Sequence, residues 1–355
     1  MSDTEPSSSE GGLRKPATID DVAKLADVSR FAVSRVYTPG ASVAPKTRKK
    51  VEAAAEALGY RPNLIARSLS TRRSRLVAIA IARLENSFHA EIVQCLSTEL
   101  ATHGYRPLIF AIDGRTDSDP PMDEILQYRV EAVILLSIRL SSGFARECRA
   151  ANVPVVLVNR YAETEEVSAV VGNNEVGAGI IADFIVDGGH ERPAFVAGFE
   201  DSSTSRDRER GFTRRLGERG ASKPVRAVGN FLADQAAEAA RTLLARRDRP
   251  DAIFCANDHM AFAVMDVARR EFALEIGRDL SVVGFDDSGP ARWAGPGLTT
   301  FAQPAGEMAD LAVRQLVAQL TGHERAPRRI VLDGRLVIRS SARMPARDNV
   351  EGVLE

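Results

Sequence analysis

Seven short, nearly continuous apolar runs follow residue 75, and they constrain the fold more than any other feature. Four come first: LVAIAIA (76–82), RPLIFAI (106–112), AVILLS (132–137) and VPVVLVN (153–159). Three follow residue 190: PAFVAG (193–198), AIFCAN (252–257) and LSVVGFD (280–286). Amphipathic stretches such as HAEIVQCLSTELATHG separate them. Strands that do not alternate apolar with polar are buried on both faces, which predicts parallel sheets flanked by helices. Two such sets, of about 120 residues each, predict two Rossmann-like lobes.

In open parallel sheets a ligand binds beyond the carboxyl ends of the strands, so two lobes can meet around one cleft. Polar residues gather at those ends. Asn86 and Phe88 follow the first run, Asp113 the second, Ser137 the third, and Asn159 with Arg160 the fourth. Arg206, Arg208, Asn257, Asp258, Asp286 and Asp287 do the same in the second half. Carboxylate, amide and guanidinium groups beside the aromatic faces of Phe88, Phe231 and Trp293 suit a polyhydroxylated ligand, because bidentate hydrogen bonds read hydroxyl pairs and rings cover an apolar sugar face.

The first 75 residues are different. Net charge over the whole chain is −1, but residues 14–75 carry 14 Lys+Arg against 5 Asp+Glu. Residues 76–355 carry a net of −7. A small basic module joined to a large acidic one points to nucleic acid as the partner of the first. Within it, Thr18 and Asp21 form a capping box for a first helix whose inward face is Val22 and Leu25. Ser29 has the chemistry of an N-cap, and a second helix runs to about Tyr37, where Pro39-Gly40 ends it. A third helix starts at Pro45 and presents Val51, Ala54, Ala55 and Leu58. With Val33 and Val36 turned into that core, Arg30, Phe31, Ser34 and Arg35 share the outer face. This is the arrangement of a helix-turn-helix, whose second helix enters the major groove. Arginine pairs bidentately with guanine, and Phe31 can pack on a thymine methyl. The basic, apolar segment 59–75 (GYRPNLIARSLSTRRSR) has no core of its own, which suits a helix that orders on DNA and inserts an apolar side chain between base pairs.

The run ATIDDVAKLADVS…AVSRV…TRKKVEAAAEALGYRPNLIARSLSTRRS resembles the LacI/GalR family of bacterial transcriptional regulators across residues 17–74. SSTSRDRERGF, CANDHMAFAVMD, SVVGFDD and LTTFAQP resemble the effector domain of the same family, which is similar to periplasmic sugar-binding proteins of the ribose type. The resemblance implies base-reading positions at Arg30, Phe31 and Arg35, phosphate contacts at Ser29 and Ser34, and a minor-groove wedge at Leu69 with Ala66. It implies effector contacts at Phe88, Asp113, Arg208, Phe231, Asn257 and Asp286. Family members commonly have Thr where this chain has Ala32, and NPFF where it has NSFH (86–89).

The fold expected is therefore α/β. An N-terminal three-helix helix-turn-helix domain (16–62) and a hinge helix (63–74) precede a two-lobed effector domain (75–341) of the type I periplasmic-binding-protein kind, with parallel sheets flanked by helices. Residues 1–15 and 342–355 read as tails. The function expected is a DNA-binding regulator, a repressor, working as a homodimer on double-stranded operator DNA and controlled allosterically by a sugar, sugar acid or nucleoside. One rival is an NAD(P)-dependent oxidoreductase, because VGAGIIA holds G-x-G-x-x-A at Gly177, Gly179 and Ala182, with Glu200 about 20 residues on. The fingerprint's first glycine should follow its strand directly, and here GNNEV intervenes. Five scattered histidines argue against a metal site, and no cofactor is expected. Three distant cysteines, no apolar leader and no apolar run of 18 residues predict a cytoplasmic protein with no membrane span.

Overall fold

The computed structural model describes residues 16–38, 40–62, 73–112, 120, 122–138, 140–162, 166–323 and 326–344. The chain divides into two compact units, 1–74 and 75–355.

The first unit is a three-helix cluster: α1 Ile19–Ala26, α2 Arg30–Val36 and α3 Pro45–Leu58. The Thr18 hydroxyl accepts from the Asp21 N–H, and the Asp21 carboxylate accepts from the Thr18 N–H at 2.9 Å, closing the capping box. Asp27, at φ 52°, turns the chain out of α1. Val22, Val33, Val36 and Val51 meet with Ala23, Ala26, Ala54 and Ala55 to form the core. Leu25 is not part of it and is 56% exposed. At about 100° per residue, a face centred between Val22, Ala23 and Ala26 turns Leu25 outward. Leu58 is also outside, at 38% exposure, in the last turn of α3.

The second unit holds two six-stranded sheets. Its elements in chain order are β1 Leu76–Ala82, α4 Ser87–Thr102, β2 Arg106–Ile112, α5 Met122–Gln127, β3 Ala132–Leu136, α6 Ser142–Ala150, β4 Val155–Val158 and β5 Ser168–Gly172. There follow α7 Asn174–Asp187, β6 Pro193–Ala197, α8 Ser203–Glu218, β7 Val225–Val228, α9 Ala233–Leu244, β8 Ala252–Cys255, α10 Asp258–Phe272 and β9 Ser281–Asp286. After a 3-10 turn at Gly289–Arg292 come β10 Thr299–Ala302, α11 Ala305–Leu320, β11 Arg329–Leu332 and β12 Arg335–Val337.

Lobe 1 has the order β11-β5-β4-β3-β1-β2 and is parallel throughout. Lobe 2 has the order β12-β10-β9-β8-β6-β7, with only β12 antiparallel. Six of the seven apolar runs are buried on both faces as expected: in β1, Val77, Ile79 and Ile81 pack on one face with α4 and α11, while Ala78, Ala80 and Ala82 pack on the other with α5 and α6. The exception is RPLIFAI: β2 lies at the sheet edge, and Ile109 is 51% exposed. The lobes are not consecutive halves. The chain crosses at Asn173, at Gln303-Pro304 and at Asp333-Gly334, so α11 and β11 return to lobe 1 before β12 closes lobe 2. Asn173 Nδ2 donates to Asp333 Oδ1 at 2.8 Å and ties two of these crossings.

The C-terminal segment expected as a tail from residue 342 begins inside the fold. Ala342 belongs to the lobe 2 core, and the Arg343 N–H donates to Ser281 Oγ at 2.9 Å. The three cysteines are free, with Cys148 and Cys255 buried. Among the described residues no helix is long and apolar enough to cross a membrane.

Candidate functional site

On the first unit, the N-cap of α2 fixes the outer face. Ser29 Oγ accepts from the Ala32 N–H at 3.2 Å, which leaves its hydroxyl proton to donate outward. Val33 and Val36 are buried, so Arg30, Phe31, Ser34 and Arg35 are brought to one surface as expected. Phe31 is 69% exposed, an unusual position for a phenylalanine in a domain with so small a core. The Arg35 guanidinium lies 5.6 Å from the Phe31 ring centroid and donates to the Ser42 carbonyl at 2.9 Å. Arg30 Nε pairs with Asp20 Oδ1 at 2.9 Å. Arg48 Nη1 donates to the Val36 carbonyl and braces the end of α2 against α3. Ala66 and Leu69 lie outside the described residues, as does Asp113.

On the second unit, the carboxyl ends of the strands from both lobes close on one narrow cavity. Its wall includes Arg83, His89, Ser137, Asn159 and Arg160 from lobe 1. Lobe 2 contributes Ser202, Thr204, Arg208, Phe231, Asn257 and Asp286. Four of the expected effector residues, Arg208, Phe231, Asn257 and Asp286, therefore meet here. Phe88 does not: it is 1% exposed and packs in the lobe 1 core. Asn86 caps α4 by accepting from the Phe88 N–H, which turns that ring inward and leaves His89 on the cavity. Trp293 is exposed and does not line the cavity.

The backbone is strained at this cavity. Arg83, Ser137, Asn159, Phe231 and Asp286 all have positive φ, from 56 to 129°, with Asp286 the extreme. Each lies at or just beyond a strand end, where the left-handed turn aims its side chain into the cleft. Contacts across the cleft hold the lobes together. Arg160 Nη2 donates to the Asp201 carbonyl at 2.7 Å, and the Tyr161 hydroxyl donates to Asp207 Oδ1 at 3.1 Å. Gln303 Nε2, on the crossing segment after β10, donates to Asp286 Oδ1 at 2.8 Å and to Asn159 Oδ1 at 3.3 Å.

Electrostatics follow from burial. Arg208 is stacked 3.7 Å from the Phe285 ring centroid, with Nε donating to Asn174 Oδ1 and Nη1 to the Ala256 carbonyl. Burial pushes the carboxyl groups of Asp258 and Asp286 well above the usual carboxylate range; Arg208 draws Asp286 partly back, and Thr300 with Ser288 does so for Asp258. Raised carboxyl groups hold protons in the folded state that the unfolded chain has released. They therefore favour folding in acid, and this contribution is lost as pH rises through the folded values. Asp258→Asn removes one buried charge. Its unfolding midpoint, relative to the parent, is expected to climb as pH goes from about 5 to about 8. A pH-independent difference in a thermal scan series would contradict this.

Sequence reasoning passed over Arg83, His89, Ser202 and Thr204. Arg83 directly follows LVAIAIA, and the two hydroxyl residues lie within SSTSRDRERGF, so position was the available signal. The glycines of VGAGIIA lie inside α7 and not in a strand-to-helix turn. A Cβ on Gly177 would fall 2.7 Å from the Phe301 ring, so this glycine serves close packing of helix on sheet. The dinucleotide reading is not favoured.

Comparison with known proteins agrees with both units. Residues 18–63 match the family model of bacterial regulatory proteins, lacI family, and residues 182–342 match that of a periplasmic binding protein-like domain. The chain is 32% identical over 305 residues to catabolite control protein A of Priestia megaterium, covering 84% of this chain and 91% of the relative. It is 29% identical over 331 residues to the HTH-type transcriptional repressor PurR of Photobacterium profundum, covering 92% and 99%. Among solved structures, the lac repressor dimer bound to operator and the anti-inducer ONPF superposes with a TM-score of 0.81 at 27% identity, covering 93% of this chain and 100% of that one. A complex of the transcriptional regulator CelR with cellobiose gives a TM-score of 0.69 at 30% identity, over 92% and 100%. The chain belongs to the lacI family of bacterial regulatory proteins and is a DNA-binding transcriptional regulator.

Proposed function

We propose that this regulator is a cytoplasmic, homodimeric repressor whose operator affinity is set by a sugar or sugar derivative bound between the lobes. The observation that carries the effector half is the cluster of five positive-φ, non-glycine residues on one cavity wall. Such conformations cost roughly 1–3 kcal/mol each and persist where a site uses them. The cellobiose complex of CelR and the repressor names of PurR and CytR support the class. Two copies of α2 read the halves of a pseudo-palindrome through Arg30, Phe31 and Arg35, with Ser29 and Ser34 on phosphates. Ala66 and Leu69 open the minor groove between them. Effector in the cavity biases lobe closure and so the geometry of residues 63–70.

Operator binding, followed by fluorescence anisotropy with and without effector, tests the coupling. Linkage requires operator DNA to change effector affinity by the same factor. Equal effector affinity in the presence and absence of operator contradicts the allosteric part. Arg35→Ala is expected to cost about 1–3 kcal/mol at one base position and to relax specificity there. Its hydrogen bond to the Ser42 carbonyl is exposed, so stability should hold. A loss that is uniform across sequences would reassign Arg35 to a phosphate.

A further inference from the structure

The cavity presents more guanidinium than carboxylate. Arg83, Arg160 and Arg208 line it, and Asp286 is the one carboxylate among the described lining residues. Arg208 is 2% exposed and incompletely satisfied. Its Nε and Nη1 are taken by Asn174 and the Ala256 carbonyl, but Nη2 is buried with no acceptor among the described residues. Asp286 does not fill that role. Its Oδ1 stands 3.6 Å from Arg208 Nη1 and accepts instead from Gln303. Nor does the neighbouring buried carboxylate Asp258, which accepts from Thr300 Oγ1 at 2.6 Å and the Ser288 N–H at 2.8 Å. Burial pulls Arg208 down to about 10 despite Asp286, Asp258 and Asp207, so the desolvated cation remains under-compensated. An anionic oxygen at Nη2 would replace lost hydration with a charge-assisted bond.

The opposite polarity is supplied next to it. His89 Nδ1 lies 3.1 Å from the Ala82 carbonyl and 3.2 Å from that of Arg83. Carbonyls only accept, so the proton is assigned to Nδ1 and Nε2 is a bare acceptor. Burial and the charge of Arg83 hold this imidazole neutral, down to about 3. His89 and Asp286 therefore both call for donors on the ligand.

We propose that the effector is an anionic polyol, its carboxylate or phosphate seated at Arg208 Nη2 and its hydroxyls donating to Asp286 and to His89 Nε2. This rests on the interlobe cavity being the effector site. The test is calorimetric titration of the full-length protein with matched sets: glucose, gluconate, glucuronate and glucose 6-phosphate; galactose, galacturonate and galactose 6-phosphate; ribose and ribose 5-phosphate. A charged member of at least one set is expected to bind roughly tenfold or more tightly than its neutral parent, the weight of one added charge-assisted bond. Arg208→Lys should shrink that ratio, because the three donors of an ammonium leave one nitrogen and do not match positions spread around a planar guanidinium. The carboxylate and phosphate arms distinguish the two acid groups. A neutral sugar that binds as tightly as its charged relatives overturns the proposal, and so does a failure of every charged member to bind. A neutral sugar that binds and shifts operator affinity removes the anion but keeps the effector reading. A charged ligand that binds without moving operator affinity keeps the anion and removes that reading.

Discussion

Arg208→Ala abolishes effector control while the DNA-binding unit keeps its affinity for operator. The side chain sits where α8, the β8 end and α7 converge, and it bonds to Asn174 and the Ala256 carbonyl from a buried position. Removing it leaves Asp286 buried without its nearest cation. An uncompensated buried charge costs about 3–5 kcal/mol, so Asp286 takes up a proton and the loss of stability grows with pH. Arg208→Lys separates folding from recognition. It keeps a positive charge, yet its donors all leave a single nitrogen and do not reproduce the planar fork whose Nε and Nη1 reach Asn174 and the Ala256 carbonyl. The lysine variant is expected to stay folded by circular dichroism and to bind operator, with its anisotropy unchanged by effector. A normal effector response in that variant would move the effector site away from this cavity.

Gly211→Ala is expected to destabilise lobe 2 by about 3 kcal/mol, the upper end of overpacking costs. A Cβ at this position would collide with the Glu175 carbonyl oxygen and lie 2.8 Å from the Glu175 Cα, both backbone atoms that cannot rotate away. Helices α7 and α8 would have to part. Several ion pairs resist that separation, including Arg215 with Asp183 at 2.9 Å and Arg219 with Asp187 at 2.6 Å. Arg208 lies one turn before Gly211 on α8, and its partner Asn174 lies one residue before Glu175 on α7. A packing defect thus becomes a site defect, with effector affinity falling together with stability. Denaturant unfolding of the variant, followed by effector titration, reads both. An unchanged midpoint would mean that the two helices are less tightly opposed than the structure has them.

Local rules made much of this legible in the sequence. The Thr18–Asp21 box, the Ser29 cap and Pro45 at the start of α3 each depend on neighbours within four residues, and each is present. Apolar runs marked six buried strands, but RPLIFAI became the exposed edge strand β2, because its place in the sheet depends on distant pairing. Misreadings arose where orientation depends on packing. Leu25 fits a helical stripe but points away, since the face is set by where α2 and α3 approach α1. Phe88 and His89 are adjacent, so a rotation of about 100° decides which enters the cleft, and the Asn86 cap sets it. Strain at the strand ends left no mark in sequence, because Arg83, Ser137 and Phe231 are not residues that favour positive φ. The short strands β10, β11 and β12, which flank the crossings, are not among the seven apolar runs, because strands of three or four residues are defined by their pairing partners.

Selection of genomic DNA fragments by the purified full-length protein tests the central claim most directly. The account predicts enrichment of one pseudo-palindrome whose half-sites are separated by a fixed spacing, as two copies of α2 require. Salt-sensitive binding with no enriched sequence would contradict it, because the basic unit would then only neutralise phosphates.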